Sequence, residues 1–224
     1  MKFNLSIKYS PKKVIGFTCE IAREKILPKK SDKIENKSNN NIKSKIFCIG
    51  FGKTGTTSLE YALKKFGFTL GNQAVGELLL EDWYQKPFQD LPFGVPGLYK
   101  VLDEAFPKSK FILTIRDNPE KWYNSLTSFH SKLWADGERI PTPEDLEKAV
   151  YRYKGFPLES AKMFWDYPAT PLYDKTAYIA KYEKHNKEVQ EYFIDRSDDL
   201  LVLNVAEQNS YQNLARFLNV KVEE

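Results

Sequence analysis

Cysteine, histidine and methionine are all scarce in this chain, two of each in 224 residues. Two distant cysteines, Cys19 and Cys48, make no disulfide framework and read as reduced, structural thiols of a cytoplasmic protein. Two histidines and two separated cysteines make no ligand set, so no metal is expected. No apolar run approaches the roughly 20 residues that a transmembrane segment needs. Met1-Lys2-Phe3-Asn4-Leu5 lacks the apolar core of a signal peptide. A basic excess is missing from most of the chain as well. The net charge is +4, but residues 1–44 hold +7 and the remainder −3. No nucleic-acid partner is expected for the folded part.

A hydrophobic content of 42% is enough for one substantial core. Residues 29–44 are rich in Asn, Lys and Ser without periodicity, so 1–44 reads as a basic N-terminal extension and linker, and 45–224 as the domain. In that domain the apolar pattern predicts strands at 45–49, 67–70, 110–115 and 200–204. Helices are predicted after the first strand to residue 66, within 74–97, at 98–106, after Pro119, from a cap at Thr142, at 176–195 and at 209–218. Near-continuous apolar strands alternating with helices indicate an α/β fold, a single three-layer domain with a central parallel sheet.

The most informative stretch is Gly50-Phe51-Gly52-Lys53-Thr54-Gly55-Thr56-Thr57-Ser58, between the first strand and its helix. Glycines there let backbone N–H groups converge, and the helix start adds unpaired donors, so the loop suits a phosphate-like anion. A Walker A loop would need lysine where Thr56 stands. A dinucleotide G-x-G-x-x-G is met by Gly50, Gly52 and Gly55, but no acid follows at the end of the second strand pattern.

Lys53-Thr54-Gly55-Thr56-Thr57 fills the K-[ST]-G-T-T loop of sulfotransferases, and Phe111 to Leu126 is similar to that family's strand, arginine, turn and helix. Tyr182 to Leu203 is similar to its closing helix and strand. The chain thus resembles the sulfotransferases that use 3′-phosphoadenosine 5′-phosphosulfate, over roughly residues 45 to 218. The resemblance implies that this co-substrate is held by Lys53, Thr54, Gly55, Thr56, Thr57 and Ser58 at its 5′ end and by Arg116 and Ser125 at its 3′-phosphate. Ser125 stands nine residues after the arginine, where the family usually has eight, and Asn124 is the fallback donor. The family's C-terminal Arg-Lys-Gly loop has no counterpart here.

Lys53 is expected to meet charge on the bridging oxygen. Asp90, before Leu91-Pro92, stands where the family carries its base, and His130 is the second candidate. His185 is expected to make structural or nucleotide-side contacts. Aromatic residues between Trp134 and Tyr173 are candidates for an acceptor pocket, the acceptor being a small molecule or a glycan. Two competing readings remain at this stage: a kinase-like phosphotransferase, and a nucleotide-binding protein without catalysis.

Overall fold

The computed structural model describes residues 45–71, 93–151 and 153–222. Residues 1–44, and with them the predicted extension and linker, lie outside the described residues. So does most of the predicted helical stretch at 74–97, including Asp90. Three strands form one parallel sheet in the order β1 (Ile46–Cys48), β2 (Lys110–Thr114) and β3 (Leu200–Leu203). Ile46 pairs with Lys110, and Phe111 with Leu200. The helices are α1 (Thr56–Lys65), α2 (Leu98–Ala105), α3 (Pro119–Trp134), α4 (Pro143–Lys148), α5 (Phe156–Trp165), α6 (Lys175–Tyr192) and α7 (Ser210–Phe217).

The period of two along each strand builds three layers. Phe47, Ile49, Phe111 and Leu113 point to one face, where they pack with Leu98 and Leu102 of α2 and with Val189 and Phe193 of α6 and its end. Cys48, Ile112 and Leu203 point to the other, against Leu59 and Leu63 of α1 and Leu214 of α7. Both faces are covered, which is why the strands read as continuous apolar runs. A third cluster lies beyond the sheet: Phe51, Trp122, Phe164 and Tyr178, drawn from the loop, α3, α5 and α6. There Trp122 stacks on Tyr182 with ring centroids 4.4 Å apart, and Trp165 on Tyr178 at 3.7 Å.

Residues 67–70 do not form the predicted strand. Gly67, with φ 84°, turns the chain out of α1, and the Phe68 amide bonds back to the Leu63 carbonyl, so Phe68 and Leu70 are partly buried against the core cluster that α1 and α7 form with the sheet. Helix α5 was not anticipated in the Pro- and aromatic-rich segment. Gly155 opens it at φ 84° and a proline occupies its first turn, where the missing N–H costs nothing. Helix α4 begins at Thr142 in a capping box with Asp145, as its sequence pattern predicted. Among the described residues no helix is long and apolar enough to cross a membrane.

Candidate functional site

The C-terminal ends of β1 and β2 meet at the glycine loop, the crevice where open parallel sheets hold ligands. Its tight path has steric causes. A Cβ on Gly50 would come within 2.2 Å of Thr114 Oγ1, and one on Gly55 within 2.2 Å of Val205 Cγ2. Gly55 also has φ 101° and Lys53 has φ 70°, so the loop crosses the left-handed region twice. Trp122 Nε1–H donates to Gly52 O at 3.0 Å, tying the loop to α3.

Gly55 is the N-cap of α1, with no side-chain cap and no acid in the first turn. The amides that open the helix, at Thr56, Thr57 and Ser58, are thereby left to a ligand. Thr57 and Ser58 are exposed. Thr54 behaves otherwise than predicted: its hydroxyl is fully buried, donating to Phe51 O at 2.5 Å and paired with Thr114 Oγ1 at 2.6 Å. That side chain holds the loop on β2 and does not face an anion.

Arg116 lies just past β2. Its Nε–H donates to Lys53 O at 2.8 Å, and its own amide donates to Tyr182 Oη at 3.0 Å. The two carboxylates that could have neutralised it are engaged elsewhere, Asp117 with Lys121 and Asn204, and Glu120 with Lys175 at 2.5 Å. These contacts, with Lys121 foremost, hold the Asp117 carboxyl below its ordinary range. Among the described residues Arg116 has no ion pair. A guanidinium at a strand end without one is suited to an anionic ligand. At 3.6 residues per turn, Ser125 lies about 60° around α3 from the loop-bonded Trp122 and Asn124 about 160°. Asn124 is exposed and Ser125 half-buried, so the helix turns Ser125 rather than Asn124 towards the loop side.

Two cavities flank this unit. One of about 480 Å³ is lined by Lys53, Thr56, Thr57, His130, Tyr173 and aromatic side chains of α3 and α5. The other, about 410 Å³, lies at Arg116, Asn118, Tyr182 and Asn186. Both fall in the size range of small-molecule sites. The Lys53 ammonium lies 3.5 Å from the centre of the Phe129 ring. His130 Nδ1 is 3.0 Å from Tyr173 Oη. Burial, and after it the charge of Lys53, pushes the His130 imidazole down to about 4, so it is neutral at pH 7.

Lys53 and His130 share one cavity, and Arg116 is bonded to the same loop. Asp90 lies outside the described residues; Gly94, four residues on, lines the Lys53 cavity. His185 is buried, donates Nε2–H to Ile49 O at 2.9 Å and stacks on Phe51, so it bolts α6 to the end of β1. Of the aromatic candidates, Trp134, Tyr151, Phe156, Trp165 and Tyr173 are on the cavity wall. Tyr153 instead donates to Glu159 at 2.5 Å. Sequence reasoning missed Trp122 and the specific role of Tyr173, because indole and phenol hydrogen bonds across 50 or more residues leave no local pattern.

Residues 89–224 match the sequence model of a family described as a sulfotransferase domain. The matched stretch contains Arg116, Ser125 and His130 and begins downstream of the Lys53 loop. A comparison with curated protein sequences returned no match.

Proposed function

The chain belongs to the sulfotransferase domain family, and from that premise we propose that it moves a sulfuryl group from 3′-phosphoadenosine 5′-phosphosulfate to a hydroxyl or amine of a small-molecule or glycan acceptor. The observation that carries the choice of donor is the bond from Arg116 Nε–H to Lys53 O. It makes one rigid unit of two anion grips, as a nucleotide phosphorylated at both 5′ and 3′ positions requires. The uncapped start of α1 and the absence of an ion pair at Arg116 among the described residues both fit such a ligand. The catalytic domain is assigned to 45–224, after an extension at 1–44.

In this reading the co-substrate supplies the sulfuryl group, and the chain's residues bind it, orient it and manage charge and proton. The Thr56, Thr57 and Ser58 amides hold the 5′ end, with Gly55 allowing the approach. Arg116 and Ser125 hold the 3′-phosphate. Lys53 faces the bridging oxygen, where charge grows as the S–O bond breaks. The acceptor oxygen or nitrogen forms the new bond to sulfur, and its proton passes to Asp90. The aromatic wall keeps water from competing for the sulfuryl group.

Nucleotide choice tests this. Adenosine 3′,5′-bisphosphate should raise Tm in the presence of EDTA, because a ligand that binds only the folded state stabilises it by mass action. ATP should raise it far less. Stabilisation by Mg-ATP alone would replace this reading with a kinase-like one, and nucleotide binding without turnover on any acceptor would indicate a non-catalytic protein.

A further inference from the structure

Helix α3 reaches Tyr173 twice. Tyr123 Oη–H donates to the Tyr173 carbonyl at 2.7 Å, and seven residues later on the same face His130 places Nδ1 at 3.0 Å from the Tyr173 hydroxyl. Tyr173 is clamped from the other side too, since the next residue, Asp174, caps α6 by accepting from the Ala177 amide at 2.7 Å. Between these clamps Tyr173 has φ 58°, a conformation that a tyrosine keeps only when its surroundings enforce it. The phenol is thus held against one nitrogen of one imidazole.

The direction of that hydrogen bond follows from the partners available. Tyr173 is 7% exposed, and among the described residues its hydroxyl has no other partner. If Nδ1–H were the donor, the phenolic hydrogen would be stranded in a buried wall. If the phenol is the donor, its buried hydrogen is used on Nδ1, and the one N–H left over is that of Nε2, which has no partner among the described residues and belongs to a side chain lining the same cavity as Lys53.

We propose that His130 acts as a hydrogen-bond donor to the oxygens of the transferring group, through Nε2–H, and is not the base; Tyr173 is the positioning residue that commits the tautomer. This role rests on the sulfuryl-transfer reading above, and the tautomer itself does not. Burial holds the Tyr173 phenol above its ordinary range, so it remains a donor at working pH. Burial and the adjoining Lys53 keep the imidazole neutral, which makes it a poor base and leaves it one N–H to give.

The chain has only two histidines, so ring-nitrogen NMR of the uniformly ¹⁵N-labelled full chain resolves both. At pH 7 His130 should show its proton on Nε2, with His185, whose Nε2–H donates to Ile49 O, as the internal reference. Tyr173→Phe should mix the two His130 tautomers while adenosine 3′,5′-bisphosphate binding persists. In turnover, His130→Ala should lose on the order of a hundredfold in kcat, as when an oxyanion donor is removed. His130→Gln, which keeps an N–H, should lose less, and both should retain the acidic limb of the pH–rate profile. A wild-type His130 protonated on Nδ1, or an acidic limb abolished by His130→Gln, would overturn the proposal and make His130 the base. The tautomer is read without donor or acceptor, so it can fail while sulfuryl transfer stands. Conversely, absence of nucleotide binding would end the transfer reading with the tautomer intact.

Discussion

Thr54 and Arg116 hold the loop from opposite sides, one from the core and one from the cleft, and their substitutions should separate support from binding. Thr54→Val keeps the shape but leaves Phe51 O and Thr114 Oγ1 short of a buried partner. It should cost about 1–3 kcal/mol of stability in denaturant titrations. Arg116→Ala should weaken adenosine 3′,5′-bisphosphate by about 1.5–3 kcal/mol, the range for a hydrogen bond to a charged group at a half-buried site. Arg116→Lys should not restore it, since an ammonium cannot bond Lys53 O and a phosphate in one planar fork. Lys53→Ala should act chiefly on kcat, because its charge matters most as the bridging oxygen gains charge. Calorimetric Kd values beside steady-state kinetics distinguish these outcomes. Unchanged nucleotide affinity in folded Arg116→Ala would make that arginine a loop support only.

Element packing decides how far the loop can move, and Gly55 is where α1 meets the turn after β3. Any side chain there meets two obstacles, a backbone at φ 101° and the Val205 methyl 2.2 Å from the new Cβ. Gly55→Ala should therefore lower Tm, and adding Val205→Ala should recover the steric part but not the backbone part. A double-mutant cycle by thermal melting should show coupling above about 0.5 kcal/mol. Strict additivity would mean that the helix start has shifted away from β3. Two residues beyond Arg116, Asn118 caps α3 by accepting from the Lys121 amide at 2.8 Å. Asn118→Ala should cost about 1 kcal/mol, measured by the same melts.

Across the whole molecule, acid sensitivity should reflect the two histidines before any carboxylate. His130 titrates near 4 when folded against 6.5 unfolded, and burial lowers His185 as well. Between those values the unfolded chain binds more protons than the folded one, so stability is complete above about 6.5 and is lost as pH falls towards 4. Asp145, held low chiefly by Arg139, remains ionised through that window and loses its contribution only at stronger acid. Tm measured from pH 7 to 4 should fall steadily, and His130→Gln should flatten the slope. An unchanged slope would mean that His130 is solvated in the folded chain.

Local rules determined much of this protein. The three strands of the sheet and most of the helices followed from apolar periodicity, because a strand buried on both faces and a helix buried on one leave different spacings, whereas α5 and the segment 67–70 did not. The α4 cap and the glycine loop followed from residues whose backbone preferences act within a few positions. The proposal that Lys53 to Ser58 bind an anion rests on the same kind of local pattern. Tertiary structure decided what depends on partners far along the chain. It turned the Thr54 hydroxyl inward to Thr114, 60 residues away, and gave Arg116 the Lys53 carbonyl, 63 residues away. It withheld a strand from 67–70, where Phe68 and Leu70 are partly buried against the cluster between the sheet, α1 and α7 instead. It also set His130 against Tyr173, 43 residues distant, which determines the imidazole proton's position. A sequence states which groups can donate or accept; only the fold, by choosing which of them become neighbours out of water, decides which bonds are made.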